Sequence, residues 1–470
     1  MVRVRRPPRP ALITVVLSYP FLAPSPISCF IGLSIPSRPA STSWQLRRHQ
    51  LPRTTTAAAS LPDGSATDVL AFSPPAAPPR SRSVISVTRH PRLPVWPAWN
   101  GVAIFILSKI FGVDAGDKLE DFFGGRVCPI SFMPDGPSDG SWQPRPYKTD
   151  PFLLCVHHNH SFGIGDPGRF FQRAFILPEG FPAHPHRGFS TLTYCVRGGM
   201  VHRDSSGIKQ AYGETRPEGD AQWMEAGGGM LHEEMWDVGG DGNVFSRQEL
   251  YQIWINLPSR KKLGRSAASL LGGSTGADVP LVVGDGGRTH TKVLVGSHAG
   301  SAAGFDPPTD VCVMHVRLTG EGARWTHDMG DGHETAMIYT RRGAVTVGDD
   351  AVPSHSVAHL STTGRRLEVR AAAEGGASEP VADFLVLTGA PLNEPVAASG
   401  TMVMNTQGEL EEAFGDYQKG KMGVPWDHEV TDEEWRDHVK KNPNQYADVT
   451  GVGASAATTS IRQNEIRVKN

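Results

Sequence analysis

Short apolar runs alternate with turns rich in Gly, Pro and Asp from about residue 126 onward. The runs are rich in β-branched and aromatic side chains, which is typical of strands in an all-β sandwich or barrel. The strands that this pattern predicts form two series, at residues 152–156, 190–196 and 250–257 and then at 292–295, 311–318, 335–340, 343–348 and 384–387. Two series of comparable size indicate two all-β domains in tandem and an internal duplication of the fold.

Apolar residues at the three- to four-residue spacing of a helix appear on both sides of this β region. Residues 99–123 predict one short amphipathic helix, whose apolar part of about ten residues is too short to cross a bilayer. Residues 407–421 predict a second helix, with residues 405–406 as candidate caps. The run Thr431-Asp-Glu-Glu434 has the capping-box pattern and predicts a third helix, ending near Lys441. We therefore expect no transmembrane span in the mature protein.

These changes of texture divide the chain into six segments. They are a targeting presequence (1–62), a linker with one short amphipathic helix (63–125), a first β domain (126–265), a linker (266–280), a second β domain (281–423) and a helical or loose tail (424–470). The second linker is assigned on its Lys/Arg and then Ser/Gly/Ala composition, which is typical of a connection between domains.

Charge separates the N-terminal extension from the rest of the chain. Residues 1–113 carry thirteen Lys/Arg and two acids, whereas residues 114–470 carry 33 bases and 46 acids. Residues 1–62 contain no acid and join a basic start and a short apolar run to a Ser/Thr/Arg/Ala-rich stretch, as a signal peptide followed by a transit peptide would. We expect import into a plastid or mitochondrion; a simply disordered extension on a cytoplasmic or nuclear protein is the alternative. The acidic body argues against direct nucleic-acid binding.

Five cysteines are scattered along the chain without a C-x-x-C pair. This pattern predicts neither a disulfide framework nor a thiolate zinc site. We interpret them as buried or incidental thiols in a reducing compartment.

Two stretches each carry two potential metal ligands one residue apart: His184 and His186 in the first, and His232 and Glu234 in the second. Residues i and i+2 of a β-strand point to the same face, so each pair can direct two ligands at one point. Two such strands facing each other across a small barrel would place three imidazoles and one carboxylate around one ion.

An H-x-H pair alone is weak evidence, because 18 histidines in 470 residues give about 0.7 such pairs by chance. A second pair, His158 and His160, lies beside His157 among polar residues and is interpreted as a solvated patch. The first pair differs because an H-x-E pair follows 46 residues later, after the turn-forming Gly227, Gly228 and Gly229. The alternative is that these are ordinary core or surface histidines.

Three imidazoles and a carboxylate suit Fe, Mn, Ni, Cu or Zn, and the ligand set does not choose among them. Four protein ligands on a six-coordinate metal leave open positions for water, O₂ or an oxygen-bearing substrate. The lack of thiolate ligands argues against a structural zinc. Glu234 is the candidate general base, because its carboxylate can accept a substrate proton as well as bind metal.

Seven runs of the sequence resemble the pirin family. They are 150–154 (DPFLL), 184–189 (HPHRGF), 219–224 (GDAQWM), 226–235 (AGGGMLHEEM), 250–257 (LYQIWINL), 389–396 (GAPLNEPV) and 400–406 (GTMVMNT). The resemblance covers roughly residues 126–423. It implies two tandem cupin domains, antiparallel β-barrels packed face to face, with one non-haem Fe(II) in the first barrel and no metal in the second. The family's iron ligands correspond to His184, His186, His232 and Glu234.

The resemblance implies two classes of function. Some pirins have quercetin 2,3-dioxygenase activity, which opens a flavonol ring with O₂ and releases carbon monoxide. Glu234 would then take the proton of the flavonol 3-hydroxyl, or of another enolisable substrate. Animal pirin is instead an iron-dependent nuclear co-regulator, which implies a non-catalytic redox-sensing protein with a protein partner. The presequence favours the enzyme, and we expect a monomer; a metal-free structural bicupin is a third hypothesis.

Four apolar residues, Trp223, Met224, Met230 and Met235, are predicted to wall the substrate pocket, although core positions suit them equally well. This chain also departs from the family. Residues 157–180 form a longer, His-rich segment, and Ser190 stands where pirins commonly have Glu, so an outer carboxylate near the metal is expected to be missing. In the second barrel the histidines form no H-x-H or H-x-E pair and are predicted to be structural. They are His327, His333, His355 and His359.

Overall fold

A computed structural model describes much of the chain beyond residue 80. The described residues are 80–90, 93–94, 125–131, 148–161, 180–213, 219–237, 247–320, 322–372 and 381–447. The predicted presequence, the helix at 99–123 and residues 162–179 of the longer segment lie outside them, so organellar import stays a prediction. Among the described elements, each helix is too short or too polar to cross a membrane.

The described residues fold into two β-barrels in tandem, as the alternation predicted. Strands of the first half are β1 Val84–Arg89, β2 Leu93–Pro94, β3 Gly125–Ser131, β4 Phe152–Ser161, β5 Gly180–His186, β6 Phe189–Arg197, β7 Gly199–Asp204, β8 Lys209–Gly213, β9 Ala221–Glu225, β10 Met230–Trp236, β11 Arg247–Asn256 and β12 Ala267–Leu271. Those of the second half are β13 Leu281–Gly284, β14 Thr289–Val295, β15 Ser297–His298, β16 Ser301–Ala302, β17 Val311–Leu318, β18 Arg324–Asp328, β19 Thr335–Val347, β20 Asp350–Pro353, β21 Ser356–Leu360, β22 Arg366–Ala371, β23 Ala382–Gly389, β24 Ala397–Ser399 and β25 Met402–Met404.

The two barrels share one topology. The large sheet of the first has the order β12-β9-β6-β11-β4-β3-β2, and that of the second has the order β1-β21-β19-β23-β17-β14-β13. The small sheet of the first, β5-β10-β7-β8, corresponds to β18-β22-β19-β20 in the second. Each strand of the two sheets in the first barrel therefore has a counterpart at the same place in the second barrel, as a duplicated fold requires, and the two short hairpins β15-β16 and β24-β25 stand outside this correspondence. The two runs predicted at 335–340 and 343–348 form one bent strand, β19, which serves both sheets.

Both predicted linkers are wrong in part. Strand β1 lies within the predicted linker 63–125, yet it pairs with β21 at the edge of the second barrel. Strand β12 lies within the predicted linker 266–280 and pairs with β9 at the edge of the first barrel. Most residues of both strands are partly or fully exposed, so neither segment has the apolar alternation of a half-buried strand.

The end of the chain returns to the first barrel. Two helices follow β25, α1 at Gln407–Gln418 and α2 at Asp432–Lys441. Each begins with a capping box, on Thr406 and on Thr431, as the sequence predicted. Side chains of this segment, including Met422 and Trp435, form one buried cluster with Leu231 of β10. The predicted boundary at residue 423 therefore does not separate two packing units.

The large sheets of the two barrels pack against each other through one apolar cluster. Strand β11 contributes Tyr251 and Ile253, and β23 of the second barrel contributes Leu385 and Leu387. The other face of β11 points into the first barrel. Each central strand of this sheet therefore alternates between the core shared by the barrels and the interior that holds the candidate ligands.

A buried ionic network links the barrels at this interface. Arg341 of β19 donates through Nε to Glu249 of β11 at 2.6 Å and also pairs with Asp383 of β23. His157, predicted to be solvated, is 4% exposed and lies 2.9 Å from Glu249. Burial alone would raise the pKa of the Glu249 carboxyl, but His157 and Arg341 hold it well below its ordinary value. Burial likewise opposes the charge on Asp383, whose pKa His315 and Arg341 lower to about 2.

Replacing Arg341 with Ala is expected to destabilise the protein by about 3–5 kcal/mol, because it removes the guanidinium that pairs with two buried carboxylates, those of Glu249 and Asp383. The free energy of unfolding in urea measures this. The matched control is Arg365→Ala, since Arg365 pairs with Asp331 on the surface, with side chains 59% and 89% exposed, and should cost less than about 1 kcal/mol. An equal decrease in the free energy of unfolding for the two variants would contradict the prediction that the buried network stabilises the protein more than a surface ion pair does.

Candidate metal centre

The candidate ligands lie on two neighbouring strands of the small sheet of the first barrel. Strands β5 and β10 are antiparallel, with His184 opposite His232 and His186 opposite Met230. Strand β5 is at the edge of the small sheet as described. An edge strand tolerates Pro185, because proline has no N–H to donate to a neighbouring strand. Gly229 enters β10 with a φ of 141°, and a Cβ there would lie 2.4 Å from Met422. Glycine is therefore required for the chain to turn into the second ligand strand.

Three imidazoles converge at one point. His184, His186 and His232 each offer a nitrogen, and these atoms lie within 4.8 Å of one another. Nε2 of His184 is 3.1 Å from Nε2 of His232, while Nδ1 of His184 donates to the Pro182 carbonyl at 2.8 Å. Neither ring nitrogen of His186, which is buried, has a hydrogen-bond partner among the described residues.

The protonation state of these rings favours a bound cation. Burial lowers the pKa of His184, His186 and His232, the last two well below the ordinary value, so the rings are neutral at pH 7. A neutral His184 that donates through Nδ1 presents a lone pair at Nε2, and that lone pair faces the Nε2 of His232. Lone pairs converging in a buried site, together with the orphaned His186, are the donor set that a borderline divalent metal needs.

Glu234 stands next to this group with its carboxylate held by three donors. Oε2 lies 4.0 Å from Nε2 of His232 and accepts from Gln252 at 2.7 Å. Oε1 accepts from Thr193 at 3.0 Å and from Tyr212 at 3.3 Å. Burial and the neighbouring Glu234 charge raise the pKa of Tyr212 well above its ordinary value, so the phenol remains a donor. These three donors fix the orientation of the carboxylate, with Oε2 on the side of the imidazoles.

The sequence did not predict the three donors to Glu234, which are Thr193, Tyr212 and Gln252. A signal existed, because Thr193 lies in a strand predicted from apolar residues, on the face opposite Leu192 and Tyr194. A polar residue at an inward position of such a strand indicates a partner inside the barrel.

Aromatic side chains cover one side of the centre. The ring of His186 has centroid distances of 5.1 Å to Phe189 and 5.6 Å to Trp254. Both rings are buried, and Trp254 donates to Gln252 at 3.1 Å. These residues make an apolar wall beside the ligand nitrogens and extend the hydrogen-bonded support of Glu234.

The predicted pocket residues divide between different surfaces. Met230 lies on the ligand face of β10 and packs with Met224 in a small buried cluster. Trp223 instead belongs to the core between the barrels, where its ring lies 5.4 Å from that of Phe305. Met235 is out of phase with His232 and Glu234 on β10 and lies against Gly180. Strand alternation directs Trp223 and Met235 away from the candidate ligands, so the prediction that these two residues wall the pocket is wrong.

Ser190 is the second residue of β6, in the large sheet of the first barrel. It lies opposite Glu225 of β9, is fully buried, and its hydroxyl has no hydrogen-bond partner among the described residues. The structure therefore gives Ser190 no polar contact toward the imidazoles.

The corresponding strands of the second barrel carry a different set of residues. Strands β18 and β22 place Trp325 opposite Val369 and His327 opposite Leu367, all four buried. The other three histidines that were predicted to be structural also contact protein groups. His333 bridges Asp310 and Thr388, His355 contacts Tyr339 and stacks on His157, and His359 lies in the register of β21 with β1.

Comparison with known proteins identifies the family. The family model described as Pirin matches residues 141–255, and that described as Pirin C-terminal cupin domain matches residues 313–423. A Pseudomonas aeruginosa protein provisionally named quercetin 2,3-dioxygenase is 32% identical over 288 residues, which is 60% of this chain and 90% of that protein. The chain belongs to the pirin family. Pirin-1 of Arabidopsis thaliana is also 32% identical, over 58% of this chain and 84% of its own length.

Among solved structures, a quercetin 2,3-dioxygenase from Acinetobacter baumannii superimposes with a TM-score of 0.54 at 27% identity. It covers 73% of this chain and 99% of the other chain. The predicted all-β fold of two tandem cupin domains is therefore confirmed for this pirin.

Metal content tests the centre directly. The purified pirin is expected to hold about one equivalent of a divalent metal per chain, and His186→Ala is expected to lose most of it, since a ligand nitrogen without another partner is removed. The matched control is His327→Ala, which removes a buried histidine from the second barrel. Metal retained in His186→Ala, or lost equally in His327→Ala, would contradict the centre.

Proposed function

We propose that this pirin is a metal-dependent dioxygenase of the quercetin 2,3-dioxygenase type, acting on a flavonol or another enolisable substrate. The observation that carries the proposal is a buried carboxylate, Glu234, held beside three neutral imidazoles with one oxygen on their side. The names of the Acinetobacter and Pseudomonas relatives support the substrate class.

The group that the site would hold is one Fe(II), the metal of the family, although Mn, Ni, Cu and Zn suit the same donors. His184, His186, His232 and Glu234 would be its ligands. When bound, it would supply Lewis acidity toward an enolate oxygen and redox capacity toward O₂.

Glu234 is the residue suited to take the substrate proton. Its Oε1 accepts from both Thr193 and Tyr212, whereas Oε2 accepts from Gln252 alone among the described residues, so Oε2 is the oxygen suited to receive the proton of a 3-hydroxyl group. Gln252, fixed by Trp254, restrains the same oxygen. A base held in this way needs little reorganisation when a substrate arrives. In the overall reaction both atoms of O₂ enter the product, while one ring carbon leaves with its oxygen as carbon monoxide.

The alternative is a non-catalytic, redox-sensing binding protein. One observation favours it: the ligand strands are tied to the C-terminal helices. Arg187, directly after His186, donates to Asp416 of α1 at 2.9 Å. Arg203 pairs with Glu233, the residue between the two ligands of β10, and lies 3.5 Å from Asp432 of α2. A change at the metal could therefore alter a surface that a protein partner contacts.

Activity separates the two functions. The iron-loaded pirin is expected to consume quercetin with O₂, seen as loss of flavonol absorbance with release of carbon monoxide. Glu234→Gln should lower kcat by about 10²–10⁴-fold, because the general base is lost. The matched control is Glu225→Gln, a carboxylate on β9 of the same barrel.

Metal content is measured for each variant, so that a lost ligand is distinguished from a lost base. Turnover no faster than that of His184→Ala would overturn the dioxygenase proposal for this substrate. A partner captured in only one iron oxidation state would then favour the binding function.

A further inference from the structure

A second buried pair of side chains stands behind the metal-facing imidazoles. His202 and Asp204 lie on β7, the neighbour of β10, with His202 opposite Glu234 and Asp204 opposite His232. Both are fully buried. Nδ1 of His202 is 3.4 Å from Nδ1 of His232, and Nε2 of His202 is 3.0 Å from Oδ2 of Asp204. A continuous chain therefore runs from Asp204 through His202 to a metal ligand.

The proton positions along this chain follow from its acidic end. Oδ1 of Asp204 accepts the backbone N–H groups of Ser206 at 2.8 Å and Ile208 at 3.1 Å, so Oδ2 is left to His202. A carboxylate only accepts, and therefore Nε2 of His202 donates. In a neutral ring Nδ1 of His202 is then an acceptor, and the donor that it faces is Nδ1–H of His232. Nε2 of His232 consequently keeps its lone pair for the metal.

The other two imidazoles have no side-chain partner of this kind. Nδ1 of His184 donates to a backbone carbonyl, that of Pro182. Nδ1 of His186 has no hydrogen-bond partner among the described residues. His232 is thus the ligand whose tautomer is set by side chains, and so the one that a substitution can change without altering the backbone.

We propose that Asp204, acting through His202, is a positioning residue that fixes the tautomer and ring orientation of His232 and thereby sets the metal affinity of the site. The proposal rests on the metal centre of the proposed function and is independent of the substrate. It also gives His232 an outer carboxylate from β7, whereas Ser190 provides none.

Asp204→Asn separates this role from the part that Asp204 plays in the β7–β8 turn. Asn keeps Oδ1 for the two backbone N–H groups, but its amide donates where the carboxylate accepted. Nε2 of His202 must then accept, Nδ1 of His202 donates, and Nδ1 of His232 becomes the acceptor. The proton of His232 moves to Nε2, the atom that should bind metal.

The experiment measures Ni(II) affinity by competition with a chelator, with no flavonol present. Asp204→Asn and His202→Leu are expected to bind about 10–100-fold more weakly than the wild type, as losses of outer-shell partners do. His202→Gln should stay within about threefold, because its amide offers an oxygen to His232 and an N–H to Asp204. The matched control is His315→Gln, which removes a buried histidine that lies 2.8 Å from Asp383 and far along the chain from the ligands; its Ni(II) affinity should not change.

A second readout follows the tautomer itself. In metal-free protein, ¹⁵N NMR is expected to show His232 protonated at Nδ1 in the wild type and at Nε2 in Asp204→Asn. Wild-type affinity with an unchanged tautomer in Asp204→Asn overturns the proposal. If that variant does not fold, the two His202 variants decide, and equal affinities in Leu and Gln overturn it. A wild type that binds no Ni(II) or Fe(II) refutes the proposed function instead.

Discussion

The two-residue alternation of the large sheet in the first barrel is the constraint on which the site depends. Each central strand faces the core between the barrels on one side and the barrel interior on the other. On β6, Leu192 and Tyr194 enter that core, while Thr193 between them reaches Glu234. A slip of one residue in this strand would exchange the two sets and destroy core and site together.

The interiors of the two barrels differ in polarity. The second is filled with apolar side chains such as Met314, Trp325 and Ile338. The first contains imidazoles, a carboxylate and amides, so its interior contributes less hydrophobic stabilisation. Its ligand strands are supported from outside, by the core between the barrels and by the C-terminal segment packed on Leu231. That segment therefore packs as part of the first barrel, although it follows the second barrel in sequence.

Much of the fold could be predicted because buried strands are short runs of apolar, often β-branched residues between turns; the strand predicted at 311–318 coincides with β17, whose residues are nearly all buried. The spacing of the candidate ligands on β5 and β10 likewise depends only on two-residue periodicity, which is a local property. The features that the sequence did not predict depend on contacts between distant parts of the chain. The exposed edge strands β1 and β12 have little pattern of their own. His157 is buried where its two ring nitrogens meet Glu249 of β11 and Tyr339 of the second barrel. Trp223 and Met224, as neighbours on one strand, could not both have faced the pocket.

The outer support of the site is concentrated on one ligand strand. Glu234 is held by donors from β6, β8 and β11, and His232 is reached from β7 through His202. The two candidate ligands of β5 have fewer hydrogen-bonding partners. His184 donates to a carbonyl of its own strand, and His186 contacts the rings of Phe189 and Trp254. Among the described strands β5 pairs only with β10, whereas β10 also pairs with β7, which supplies the His202 side chain beside His232. Among the candidate ligands, Glu234 and His232 are therefore the two that hydrogen bonds from neighbouring side chains restrain most closely.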